Sequence, residues 1–126
     1  TSFALVSADV DNTESTKVLL RPDGIIESFV TKRDLTPEEK LDFEFGGEAI
    51  GFFKFSAENC KKFIEHYEKF ESDCIEVLWE IPFTEFAKYV NLDPWIITQG
   101  PACFEIDTQE DYLEALASFN ANRDKY

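Results

Sequence analysis

A chain of 126 residues that is 44% hydrophobic and 15% aromatic, with thirteen Phe, is long enough for one domain with a real core and too apolar to stay disordered. Twelve Lys and Arg stand against 26 Asp and Glu, a formal net charge of −14, so nucleic-acid backbones and anionic membrane surfaces are excluded as partners by repulsion. The same charge fits a Mg²⁺-dependent site, a basic partner, or solubility alone.

No apolar run reaches the length of a membrane span and no signal-peptide pattern is present. Cys60, Cys74 and Cys103 are odd in number, widely spaced and set in apolar surroundings, so they read as reduced, mostly buried thiols of a cytoplasmic protein. The chain holds no Met and begins with Thr1-Ser2-Phe3 in strand character, which points to a piece of a longer protein.

Phe3 to Ala8 is a short apolar run, and Asp9 to Ser15 a polar loop after it. Lys17–Leu20 and Ile25–Val30 flank Arg21-Pro22-Asp23-Gly24, the turn chemistry of a β-hairpin. Arg33 to Phe45, with Pro37-Glu38-Glu39-Lys40, reads as a loop or a single helical turn able to close over a site, or as a solvated connection. Gly46-Gly47 then reads as a loop feeding an apolar strand that runs to Phe55.

Ser56 caps a helix whose Cys60, Phe63, Ile64 and Tyr67 fall on one face at i, i+3, i+4, i+7 and are expected to be core. His66, the only histidine, lies beside that stripe and reads as a surface or boundary residue. Ile75, Leu78 and Trp79 predict a second short helix that Pro82 interrupts or restarts, and Phe83, Phe86, Ala87 and Val90 a third, from about Pro82 to Val90. Trp95 to Thr98 and Ala102 to Ile106 read as strands, and a last helix is expected to bury Tyr112, Leu113, Leu116 and Phe119.

The chemistry concentrates around Phe104-Glu105-Ile106-Asp107-Thr108-Gln109-Glu110-Asp111-Tyr112. A strand there delivers the Asp107 carboxylate to its carboxyl end, and Thr108 with Asp111 three residues on opens a helix. A carboxylate at such a corner is a ligand for a hard cation such as Mg²⁺, or it serves only the positive end of the helix. Near the N-terminus, Phe3–Ala8 followed by Asp9-Val10-Asp11-Asn12-Thr13 resembles the DxDxT start of haloacid-dehalogenase-type phosphatases, with Asp9 as nucleophile and Asp11 as general acid. That family continues with a helix and a later acid pair, and here a hairpin signal follows instead.

Three segments in consistent order carry a broader resemblance: Val30-Thr31-Lys32, Gly47-Glu48-Ala49-Ile50-Gly51-Phe52-Phe53-Lys54-Phe55-Ser56, and Phe104 to Asp111. Together they resemble the C-terminal half of the MobA-like nucleotidyltransferases, most closely the phosphocholine cytidylyltransferase group of the sugar-nucleotidyltransferase superfamily. The resemblance implies an α/β fold over residues 1–126, part of a three-layer architecture with a mixed sheet, a β-hairpin and about four helices. It implies that Asp107 is one of two aspartates holding Mg²⁺ against the phosphates of a nucleoside triphosphate, CTP above all. It places Lys32 and Glu48 on the acceptor side, near phosphocholine, a phosphonate or a sugar phosphate. Phe104, Glu105 and Trp95 are the further substrate-binding candidates, the aromatics through cation–π contacts of about 0.5–2 kcal/mol each.

The family's N-terminal half, with its phosphate-binding Gly- and Arg-rich loop and its other metal aspartate, has no counterpart among these residues. Three expectations follow: the acceptor half of a Mg²⁺-dependent nucleotidyltransferase, inactive alone and exposing apolar faces to the missing half; a phosphatase built on Asp9 and Asp11; or a non-catalytic acidic interaction domain.

Overall fold

The computed structural model describes residues 1–7, 13–70, 78–97 and 106–125, and among these it is an α/β unit with a five-stranded mixed sheet and four α-helices. In chain order these are β1 (Phe3–Ser7), β2 (Lys17–Leu20), β3 (Ile26–Val30), α1 (Pro37–Asp42), β4 (Glu44–Lys54), α2 (Ala57–Phe70), α3 (Glu80–Ala87), β5 (Asp93–Ile97) and α4 (Gln109–Ala121). The sheet order is β3-β2-β4-β1-β5, with β4 antiparallel to both its neighbours and β1 parallel to β5.

The expected hairpin forms, pairing Lys17 with Val30 and Leu20 with Ile26. Gly24 takes φ 80°, open to glycine without steric cost, and its N–H donates to Arg21 O at 2.8 Å. The next strand is longer than the sequence reading. β4 starts at Glu44 and runs through Gly46-Gly47, where a loop was expected, because it is paired on both sides and absorbs a register shift against each partner.

One sheet face carries Ala4, Val6, Val18, Leu20, Ile26, Phe29 and Ala49, buried with Phe86 and Ala87 of α3 and with Val90 and Leu92. Phe53, Phe55, Phe63, Trp79 and Phe83 close around that core, with Phe53 and Phe83 centroids 4.3 Å apart and Phe63 and Phe86 5.0 Å apart. Each such ring pair adds about 0.5–1.5 kcal/mol beyond burial. The opposite face is barer: Phe52 is 66% exposed and Trp95 58%.

The helices start where their caps are. Thr36 and Glu39 form a capping box on α1, the single turn read from the sequence. Ser56 Oγ accepts from Asn59 N at 3.2 Å and caps α2. The buried face of α2 departs from the periodic reading. Phe63 and His66 meet Phe83 and Phe86, whereas Ile64, Tyr67 and Cys60 are exposed, because α2 packs on α3 along a narrow line and not flat on the sheet. The Cys60 thiol is therefore not a buried one; Cys74 and Cys103 lie outside the described residues.

Of the two roles read for Pro82, the start of a helix is the one observed. The proline sits in the first turn of α3, which starts at Glu80 and where no amide donor is needed, and Trp79 is the residue that precedes the helix. Ile75 and most of the separate helix expected there lie outside the described residues, as does the strand expected over 102–105. The α4 start is as read, with Thr108 and Asp111 forming a capping box. Its apolar residues are the correction: Tyr112, Leu113, Leu116 and Phe119 are all about half exposed, since among the described residues no element makes an extensive contact with this helix. Among the described residues no helix is long and apolar enough to cross a membrane.

Candidate functional site

The parallel strands β1 and β5 end side by side, Ser7 opposite Ile97, and this carboxyl rim is where open α/β sheets bind ligands. Pairing extends the rim across the sheet. Ser7 opposes Glu48, Glu48 opposes Lys17, and Lys17 opposes Val30. Directly opposed residues of antiparallel strands project from the same face, so Lys17 and Glu48 share the face turned away from α3.

Backbone geometry fixes this row. Gly47 takes φ 121°, and a Cβ there would collide with Ser7 O and stand 2.8 Å from Val6 Cγ1. Only glycine lets β4 close on β1 at this point, which sets Glu48 beside the end of β1. Lys32, two residues past the row, has φ 54°, the only positive φ of a non-glycine residue among those described. Holding a lysine there costs about 1–2 kcal/mol, and such strain collects at functional sites. Lys17 is wholly buried, and its Nζ donates to Ser15 O at 3.2 Å.

On the α3 side of the same rim is a second polar group. Thr16 Oγ1 donates to Glu80 Oε1 at 2.9 Å and lies 3.2 Å from Thr31 Oγ1. A hydroxyl has one hydrogen, so Thr16 gives its proton to the carboxylate and receives one from Thr31. Glu80 is only 5% exposed, and its Oε2 is buried with no hydrogen-bond partner among the described residues.

The connection after Lys32 is clamped. Arg33 meets the Glu39 carboxylate with both terminal nitrogens, at 2.8 and 2.7 Å, and Thr36 N donates to Glu39 Oε2 at 2.9 Å. The Arg33 hydrogen bonds, helped by the Thr36 amide and opposed by partial burial, hold the Glu39 carboxyl down at about 2. Thr13 Oγ1 donates to Asp34 Oδ1 at 2.9 Å, tying the entry of β2 to this connection.

Of the residues singled out in the sequence, Glu48 lies in this row, and Lys32 follows β3 two residues past Val30, the last residue of the row. Asp107 is exposed, with its amide donating to Asp111 Oδ2 at 3.1 Å as part of the α4 cap. Its carboxylate has the oxygen donors a hard cation takes, but among the described residues no three His, Cys, Asp or Glu side chains gather as a metal site. Trp95 sits two residues below the rim on β5, its ring 4.8 Å from that of Phe3. Phe104, Glu105, Asp9 and Asp11 lie outside the described residues; after Thr13 the chain runs into β2.

Sequence reasoning passed over Glu80, Thr16, Thr31 and Lys17. The signal for Glu80 was an acid inside the apolar run Leu78-Trp79-Glu80-Ile81-Pro82-Phe83, and for Lys17 a charge at the head of Val18-Leu19-Leu20. An open groove of about 460 Å³ lies at the other end of the sheet, where Ser2 Oγ accepts from Ser56 N and Asn59 Nδ2. Those bonds tie β1 to α2 and leave the rim as the candidate site. Compared with protein-family models and with curated proteins, the chain matches none.

Proposed function

We propose that this chain is the acceptor-binding and metal-binding part of a Mg²⁺-dependent nucleotidyltransferase. It serves transfer of a nucleotidyl group, CMP above all, from a nucleoside triphosphate to a small phosphorylated alcohol, a phosphonate or a sugar phosphate, with release of pyrophosphate. The observation that supports the reading is Lys32, kept in a left-handed backbone conformation two residues past Val30, which closes the cross-strand row of Ser7, Glu48 and Lys17 at the end of β1.

In this reaction an acceptor oxygen attacks the α-phosphorus. The new O–P bond forms as the bond to the β-phosphate oxygen breaks, and pyrophosphate leaves with the electron pair. No protein nucleophile is needed; alignment and charge neutralisation do the catalysis. Lys32 neutralises the acceptor's phosphate or phosphonate, and Glu48 orients the acceptor. Asp107 is the candidate ligand for Mg²⁺, which when bound offsets triphosphate charge, and a second aspartate comes from a nucleotide-binding half outside this chain. The exposed Phe52 and Trp95 and the α4 stripe are the surfaces that half would cover.

The test is pyrophosphate release by the full-length protein with CTP, Mg²⁺ and a panel of phosphorylated acceptors. Release that needs an acceptor and is lost in Lys32→Ala and Asp107→Ala supports the reading. Phosphatase activity that survives Asp107→Ala but not Asp9→Asn overturns it. One observation favours a second reading, a non-catalytic interaction domain: the exposed stripe of α4 runs beside Glu110 and Glu114 in a helix with no basic residue. Absence of turnover with every acceptor, together with unchanged function of the Lys32→Ala and Asp107→Ala proteins, selects that reading.

A further inference from the structure

Glu80 presents a contradiction that a ligand would resolve. A carboxylate that is 5% exposed has one oxygen satisfied by Thr16 and the other buried with no partner among the described residues. Buried acceptors left unpaired are costly and rare, so a single orphan at a strand-end rim calls for an explanation. Thr16 and Thr31 are only half-buried, which puts the cluster at the rim and not in the core. Thr16, Thr31 and Glu80 offer oxygen only, and the Trp79 ring, adjacent in sequence, packs 5.6 Å from Phe29.

Such a group suits a cation, and the orphan oxygen decides which kind. Oε2 lacks a hydrogen bond, and a primary ammonium has three N–H donors with which to supply it. A quaternary ammonium has none and would leave Oε2 as it is. We propose that Glu80, backed by the Thr31–Thr16 hydroxyl pair, receives a primary ammonium group of the acceptor, so that the acceptor is a small amino-alcohol phosphate or aminophosphonate and not a trimethylammonium compound. The proposal rests on the nucleotidyl-transfer reading for the word acceptor, but ammonium recognition at Glu80 stands on its own geometry.

Phosphoethanolamine and phosphocholine differ only in N-methylation, and ethyl phosphate lacks the amine. Calorimetric titration of the full-length protein with each is expected to rank phosphoethanolamine at least about tenfold tighter than the other two. Glu80→Gln keeps the shape and the Oε1-type acceptor for Thr16 but turns an N–H toward the ligand. It is expected to abolish the preference while binding of ethyl phosphate stays unchanged. A purely structural Glu80 would lower the melting temperature without moving the ratio of affinities. Equal or tighter binding of phosphocholine by the wild-type protein overturns the proposal without any variant, as does a preference that Glu80→Gln leaves intact. CTP turnover assayed alongside separates the two claims. Turnover that prefers phosphocholine sinks the ammonium proposal and keeps the reaction; Glu80-dependent amine binding with no turnover keeps the ammonium site and sinks the reaction.

Discussion

Lys17 on β2 and Glu48 on β4 stand directly opposite each other, and the lysine is wholly buried. A buried ammonium is kept in a sheet only where the surroundings hold it, and cross-strand neighbours are the first part of those surroundings. Lys17→Met is expected to destabilise the protein by about 2 kcal/mol, and Glu48→Gln by less. In the double variant the losses fall short of their sum by about 1 kcal/mol, measured by urea denaturation of all four proteins. Strict additivity would mean that the two side chains do not sense each other.

Gly47 and Gly51 both have positive φ, yet substitution should affect them differently. A Cβ at Gly47 strikes the Ser7 carbonyl, whereas at Gly51 it meets nothing within 4 Å. Gly51→Ala is expected to cost about 1 kcal/mol of backbone strain, and Gly47→Ala about 3 kcal/mol or more through separation of β4 from β1. Comparison of the two melting curves checks this, and similar midpoints would remove the steric reason for Gly47.

Lys32 is strained, so glycine there should be more stable than the native residue. Lys32→Gly is expected to raise stability by up to about 1 kcal/mol while the proposed nucleotidyl transfer by the full-length protein falls with the lost ammonium. Lys32→Ala loses the same activity without the gain. A Lys32→Gly protein that is both less stable and fully active would detach the strain from function.

The Glu39 carboxyl, held at about 2 by Arg33, gives a pH signature. Its folded value lies below the usual carboxyl range, so its contribution is complete above that range and is lost as pH falls toward about 2. Arg33 is about half exposed, and solvent screening limits the contribution to at most about 1 kcal/mol. Glu39→Gln should therefore flatten the stability profile between about pH 4.5 and 2, and high salt should shrink the difference. Identical acid profiles for the two proteins would contradict the clamp.

Local signals were legible in the sequence wherever a short stretch supplies its own partner. Pro22-Asp23-Gly24 makes the hairpin, Ser56 caps α2, and Thr108 with Asp111 caps α4, each through bonds within four residues. Periodicity also located α2 and α4, but it could not say what covers their apolar stripes. Ile64 and Tyr67 lie off the narrow contact with α3, and Leu113 and Leu116 stay about half exposed. Lys32 and Glu48 were singled out through short motifs. Glu80 was not, because its partner Thr16 is 64 residues away and only the packing of α3 on the hairpin brings them together.

The measurement closest to the central claim is pyrophosphate release from CTP by the full-length protein, in Mg²⁺, with and without a small phosphorylated acceptor. The account predicts release that requires both metal and acceptor and disappears in Asp107→Ala and Lys32→Ala proteins that still fold. Turnover untouched by those substitutions, or none with any acceptor, would contradict it.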